Sequence, residues 1–159
     1  MTLRLLIVLI PLFFIISCTN DPGKELKSDS TVQRIDLKGT WKLISGTKLS
    51  KGLTTHTDYT KNQQMIKIIN DTHFAFLKHN LQPDAEGKNN FDAGGGKYEL
   101  KGDQYTEHLE YYNDRNWEGK SFTFKVYIKK DTLVQTGIEK IESEGIEQTI
   151  TEKYLRTAH

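Results

Sequence analysis

Cysteine is nearly absent: Cys18 is the single one in 159 residues, so no intramolecular disulfide can form. The fold has to be held by its core alone. Charge of one sign is also missing, since the 21 Lys and Arg left from residue 18 onward, without Arg4, match the 21 Asp and Glu. That balance excludes the basic footprint of a nucleic-acid binder. The longest apolar run, Leu5 to Ile16, falls short of the roughly 20 residues a membrane-spanning helix requires. No segment carries a convincing helical period, apart from a possible short turn around Val32 to Leu37.

What is present at the start is "MTLRLLIVLIPLFFIISC": one positive charge at Arg4, the apolar run, then Ser17 and Cys18. This is the layout of a secretory signal. Ordinary cleavage prefers small residues at the first and third positions before the cut, and Ile15 would occupy the third. "Ile15-Ile16-Ser17-Cys18" resembles the bacterial lipoprotein signal instead. The resemblance implies cleavage before Cys18, a diacylglycerol on its sulfur with palmitate among the acyl chains, and a home in the cell envelope. The outer membrane is the expected membrane, with the domain facing periplasm or exterior. "TNDPGKELKSDSTVQR" follows, polar and free of aromatics, and reads as a flexible tether with ends roughly 20 to 25 Å apart. The expected organisation is a signal peptide over 1–17, a lipidated Cys18 with tether over 18–34, and one folded domain over 35–159.

Within that domain, runs of Val, Ile, Thr, Tyr, Phe and Trp predict eight strands: Thr40–Ser45, Met65–Ile69, His73–His79, Lys97–Leu100, Gln104–Tyr112, Phe122–Ile128, Leu133–Gly137 and Gln148–Leu155. Short turns such as Asn70-Asp71, Lys101-Gly102-Asp103 and Lys129-Lys130-Asp131 make neighbouring strands antiparallel. In "SFTFKVYIKK", Phe122, Phe124, Val126 and Ile128 share one face, while Thr123, Lys125, Tyr127 and Lys129 share the other. One face is buried and one is wet. Eight such strands without helices must stack as two sheets or close on themselves, and closure also removes exposed edges. The expected fold is all-β: a closed antiparallel up-and-down barrel of eight to ten strands.

Several motifs suggest chemistry and then fail on context. Gly94-Gly95-Gly96 would need a further glycine at position 99, which is Glu, and a helix to follow, before they could cradle a dinucleotide phosphate. A bend, or close approach of another chain, is the expected use. Gly119-Lys120-Ser121 lacks the earlier glycine of a phosphate loop, because Asp114 stands there. Asp114, Asn116 and Glu118 imitate half of a calcium loop, but Lys125 occupies the position of its bidentate Glu. The histidines at 56, 73, 79, 108 and 159 form no metal-binding pair, and nothing resembles a nucleophile elbow. No cofactor or metal is expected.

"Asp36-Leu37-Lys38-Gly39-Thr40-Trp41" resembles the Gly-x-Trp opening of lipocalins and related calycins, and "Glu152-Lys153-Tyr154-Leu155-Arg156" resembles their last strand. With "GGGKYELKGDQYTEHLEYY" and "GKSFTF", the stretch from Gly39 to Arg156 is similar to small lipocalin-like lipoproteins of Bacteroidetes. The resemblance implies that Gly39, Trp41 and Arg156 close one end of the barrel, with the guanidinium stacked on the indole. The two-residue period then sets Tyr154 and Glu152 successively further along the inner face, toward Phe122, Phe124 and Val126. These five are the expected ligand-binding residues, in a partly polar cavity taking a small apolar or amphipathic molecule. The chain is expected to be a monomer. Two alternatives stay open: a packed barrel contacting an envelope protein or glycan through loops 46–62 and 80–95, and a hydrolase or isomerase using cavity carboxylates.

Overall fold

The structure is a computed structural model and describes residues 35–157. The signal segment, Cys18, the tether and His159 lie outside the described residues. Ten strands form one antiparallel sheet: β1 Gly39–Ser50, β2 Leu53–Asp58, β3 Gln63–Ile69, β4 His73–Asn80, β5 Phe91–Lys101, β6 Gln104–His108, β7 Tyr111–Tyr112, β8 Ser121–Lys129, β9 Thr132–Ile141 and β10 Ile146–Arg156. The order runs β10-β9-β8-β6-β5-β4-β3-β1, and β10 pairs back on β1 from Trp41↔Arg156 to Ser50↔Gln148, so the sheet closes.

Ten strands make eight staves. β1 pairs β3 through Gly39–Lys42 and β2 through Ser45–Ser50, so β2 and β3 are one stave broken between Asp58 and Gln63. In the same way β5 pairs β6 through Tyr98–Lys101 and β7 at Gly94 and Gly95. The expected fifth strand therefore breaks at Leu109 and Glu110. β2 was not foreseen, because "LTTHTD" is almost wholly exposed and carries no alternation; its pairing with β1 holds it. Of the expected loops, most of 46–62 belongs to β1 and β2, and 80–95 narrows to 81–90 because β5 begins at Phe91. Residues 35–38 carry no helical turn, and a single 3-10 turn, Glu142–Glu144, joins β9 to β10.

Glycines 94–96 sit inside β5 rather than ahead of it. A Cβ on Gly96 would lie 1.9 Å from the carbonyl oxygen of His108 and 2.8 Å from the amide of Glu110. The missing side chain is what lets the broken β6–β7 stave cross close over β5, and no phosphate is needed to explain it.

The inward faces follow the two-residue period. Trp41 and Leu43 on β1, Phe74 on β4, Tyr105 on β6, Phe122, Phe124 and Val126 on β8, Leu133 on β9 and Tyr154 on β10 are all buried, while Lys125 and Tyr127 face out. At one end the core is sealed. The indole of Trp41 donates to the Leu37 carbonyl at 2.8 Å, and the guanidinium carbon of Arg156 lies 4.1 Å from the Trp41 ring centroid. Arg156 also donates to the carbonyls of Lys38 and Asp36. Gly39 has a φ of 131°, and a Cβ there would stand 2.8 Å from the guanidinium. A side chain at Gly39 would thus be strained and would push Arg156 off the indole.

Candidate ligand-binding site

Because neighbouring strands alternate in direction, the turns after β3, β5 and β8 gather with the end of β10 at the sealed end, and the turns after β1, β4, β7 and β9 gather at the other. Between that second end and the core lies a cavity of about 310 Å³. This is the lower end of the range of about 300–1,000 Å³ typical of small-molecule sites. Its apolar lining comes from Met65, Phe76, Leu109, Trp117, Phe122 and Phe124. Its polar lining is more extensive than a mostly apolar pocket would have: Lys67, Lys78, Asp92, Glu107, Gln135, Glu139, Gln148, Glu152 and Tyr154 all face it.

The inner polar groups form one chain of hydrogen bonds. Lys67 on β3 donates to Glu107 on β6 at 2.6 Å and to Gln135 on β9 at 3.0 Å. The Gln135 amide donates to Glu152 on β10 at 3.0 Å, and the Tyr154 hydroxyl donates to the same Glu152 oxygen at 2.6 Å. Lys67, Glu107 and Gln135 are all buried. The rings of Tyr154, Phe74 and Tyr105 stand 5.1, 5.8 and 5.9 Å from the Lys67 ammonium, close enough for cation–π attraction. A buried ion pair is costly to form from water but more costly to break, at about 3–5 kcal/mol when one partner is removed. The network therefore fixes the inner end of the cavity as a rigid polar floor.

Nearer the opening, Gln148 on β10 donates to Glu139 on β9 at 2.7 Å. Burial pushes the Glu139 carboxyl up to about 7, opposed by the Gln148 hydrogen bond and reinforced by the neighbouring Glu152 and Glu107 carboxylates. Burial likewise raises Glu152, against the pull of Lys67 and the Tyr154 hydroxyl, and burial together with Glu152 raises Tyr154 far above its usual range. The opening is partly roofed by the loop after β7. Its Trp117 lies 5.6 Å from the Phe122 ring and donates to Glu144 of the 3-10 turn at 3.1 Å, and Asn116 donates to the other Glu144 oxygen at 2.8 Å. Asp114, the supposed calcium ligand, spends its side chain on the Asn116 amide in this turn.

Of the five residues expected to bind ligand, Glu152, Tyr154, Phe122 and Phe124 line the cavity. Val126 does not: it lies one inward rung further from the opening and is packed in the core at 1% exposure. Lys67, Glu107, Gln135 and Glu139 were not among the five. Their signal was a polar residue in period with apolar ones, as in Met65-x-Lys67-x-Ile69 and Tyr105-x-Glu107-x-Leu109. A larger hollow of about 470 Å³ lies over Phe74–Leu77 and Gly94–Gly96. It is shallow and open, its lining is almost wholly apolar, and no acid or lysine borders it.

No protein-family model matches the sequence, and no curated protein matches it. Solved structures do. A lipocalin-like protein from Bacteroides uniformis is 22% identical, with a TM-score of 0.46 over 77% of this chain and 100% of that one. An uncharacterized protein from Bacteroides eggerthii is 16% identical, with a TM-score of 0.44 over the same shares. The siderocalin Ex-FABP, a protein that functions through dual ligand specificities, is 10% identical, with a TM-score of 0.27 over 76% of this chain and 73% of that one. The barrel's own geometry, eight staves in one closed meander with an internal cavity open at one end, is lipocalin-like.

Proposed function

We propose that this chain is a ligand-binding barrel of the cell envelope, anchored to its membrane by acylated Cys18, that takes one small amphipathic molecule into the cavity between its staves. The observation that carries the reading is the cavity lining. An aromatic and aliphatic wall faces a floor of buried polar groups already bonded to one another, which can orient a polar head without collapsing when the site is empty. In a barrel whose only task was to be packed, replacing this ion pair by apolar side chains would be neutral or stabilising. Cys18 supports the anchored location through its lipoprotein-like signal.

Native mass spectrometry of protein from its own host tests the reading. The expected result is a retained small molecule whose identity or occupancy changes in Glu152→Gln. Protein that emerges empty and gains no thermal stability from a panel of amphiphiles would overturn it. Exposed Tyr111 and Leu77 at the outer hollow favour a second reading, a contact surface for another envelope protein, which would then take its place.

A further inference from the structure

The wall formed by β9 and β10 carries two glutamine–glutamate pairs in opposite senses: Gln135 on β9 donates to Glu152 on β10, and Gln148 on β10 donates to Glu139 on β9. Both donations, and that of Tyr154, go to the Oε2 atom of the carboxylate. Among the described residues, no donor is hydrogen-bonded to the other oxygen of either Glu139 or Glu152. One wall of the cavity thus presents two carboxylate oxygens that no hydrogen bond among the described residues engages.

The cations lining the same cavity act on Glu139 and Glu152 only at a distance and form no hydrogen bond or ion pair with them among the described residues. Lys67 is committed to Glu107 and Gln135 within its cage of rings, and Lys78 makes no ion pair with any of these acids among the described residues. Four carboxylates, those of Asp92, Glu107, Glu139 and Glu152, face two ammonium groups. An anionic head would meet the free oxygens of Glu139 and Glu152 and would have to take Lys67 from Glu107, leaving that buried carboxylate unpaired. A neutral head would supply no counter-charge when Glu139 and Glu152 ionise.

Resting on the binding role proposed above, we infer that the ligand is an organic cation with N–H donors, a primary amine or a guanidinium, carried on a small hydrocarbon or aromatic body. Its donors span Glu139 and Glu152 on the β9–β10 wall, and its body lies against Met65, Phe76, Phe122 and Trp117. The desolvation of the cation is offset by two carboxylates fixed by their glutamines, which is the requirement for burying a charge. The state of the empty site agrees with this: burial keeps Glu139 protonated to about pH 7, and an arriving cation drives that proton off. Facing Glu139 are Glu152 and Gln148 from β10, Glu107 from β6, Lys67 from β3, Tyr59 from the break after β2, and Tyr112 from β7.

Three probes with one body and three heads separate the possibilities: octylamine, octanol and octanoate, titrated into the full chain and followed by calorimetry and by tryptophan fluorescence, since Trp117 lines the cavity. At pH 8 octylamine is expected to bind about tenfold or more tightly than either other probe, and at pH 6, where Glu139 is still largely protonated, to bind with proton release. Its advantage over octanol shrinks toward pH 5 in the wild type and largely disappears in Glu139→Gln. Octanoate binding as tightly as octylamine at pH 8, or an amine advantage that neither acid nor Glu139→Gln reduces, overturns the cationic head while leaving the barrel a binder. Failure of all three probes overturns the binding reading together with it.

Discussion

A carboxylate held against a dry wall costs stability whenever it ionises, and Glu139 is such a group. Its folded pKa, about 7, lies above the ordinary 4.5, so between those values the folded chain binds more protons than the unfolded chain. Stability from this residue is therefore greatest below 4.5 and falls as pH rises toward 7. Glu139→Gln keeps the acceptor for Gln148 and removes the penalty. The variant should be more stable than wild type at pH 8 by on the order of 1–3 kcal/mol, and the difference should vanish near pH 4 in urea melts. A constant difference across that range would show that Glu139 ionises freely. Glu152 was legible in the sequence as a carboxylate on the inner face of the last strand. So was Tyr154 beside it, but the rest of the network was not, because Lys67, Glu107 and Gln135 come from three other strands, with Glu107 and Gln135 lying 40 and 68 residues along the chain from Lys67.

At the scale of the strand, alternation was a reliable guide where one face is buried and silent where neither is. β8 alternates cleanly and lies where its pattern set it, whereas β2 has no buried face and exists through its pairing with β1. The glycine run has a comparable lesson, since its purpose depends on a neighbour. Gly96→Ala would drive a Cβ into the His108 carbonyl, backbone that cannot swing aside. We expect a loss on the order of 1–3 kcal/mol in chemical denaturation, the usual range for overpacking. Wild-type stability in that variant would mean that β6 does not cross so close. At the sealed end, Trp41 and Arg156 face each other across β1 and β10. Trp41→Phe and Arg156→Lys should couple by about 1 kcal/mol in a double-mutant cycle, and additive losses would dissolve the cation–π contact.

For the whole molecule, the anchor makes a prediction that does not touch the barrel. Cys18→Ala should abolish incorporation of labelled fatty acid and leave the melting temperature of the folded domain as it was. Equal labelling of both proteins would remove Cys18 from the account. The closed barrel itself followed from the sequence, because eight strands with one apolar face, short turns and no helix have few ways to hide that face, and only closure also removes the edges. Those are local patterns, and a local pattern is fully present in the chain. Which polar side chains meet inside the barrel is a different matter. It depends on strand register, on the one-residue bulge between Leu43 and Ser45, and on the two broken staves, since a slip of one residue turns inner side chains outward. The floor of Lys67, Glu107, Gln135 and Glu152, and the free carboxylate oxygens above it, exist only once four strands are brought into one register, so tertiary structure alone decided the character of the site.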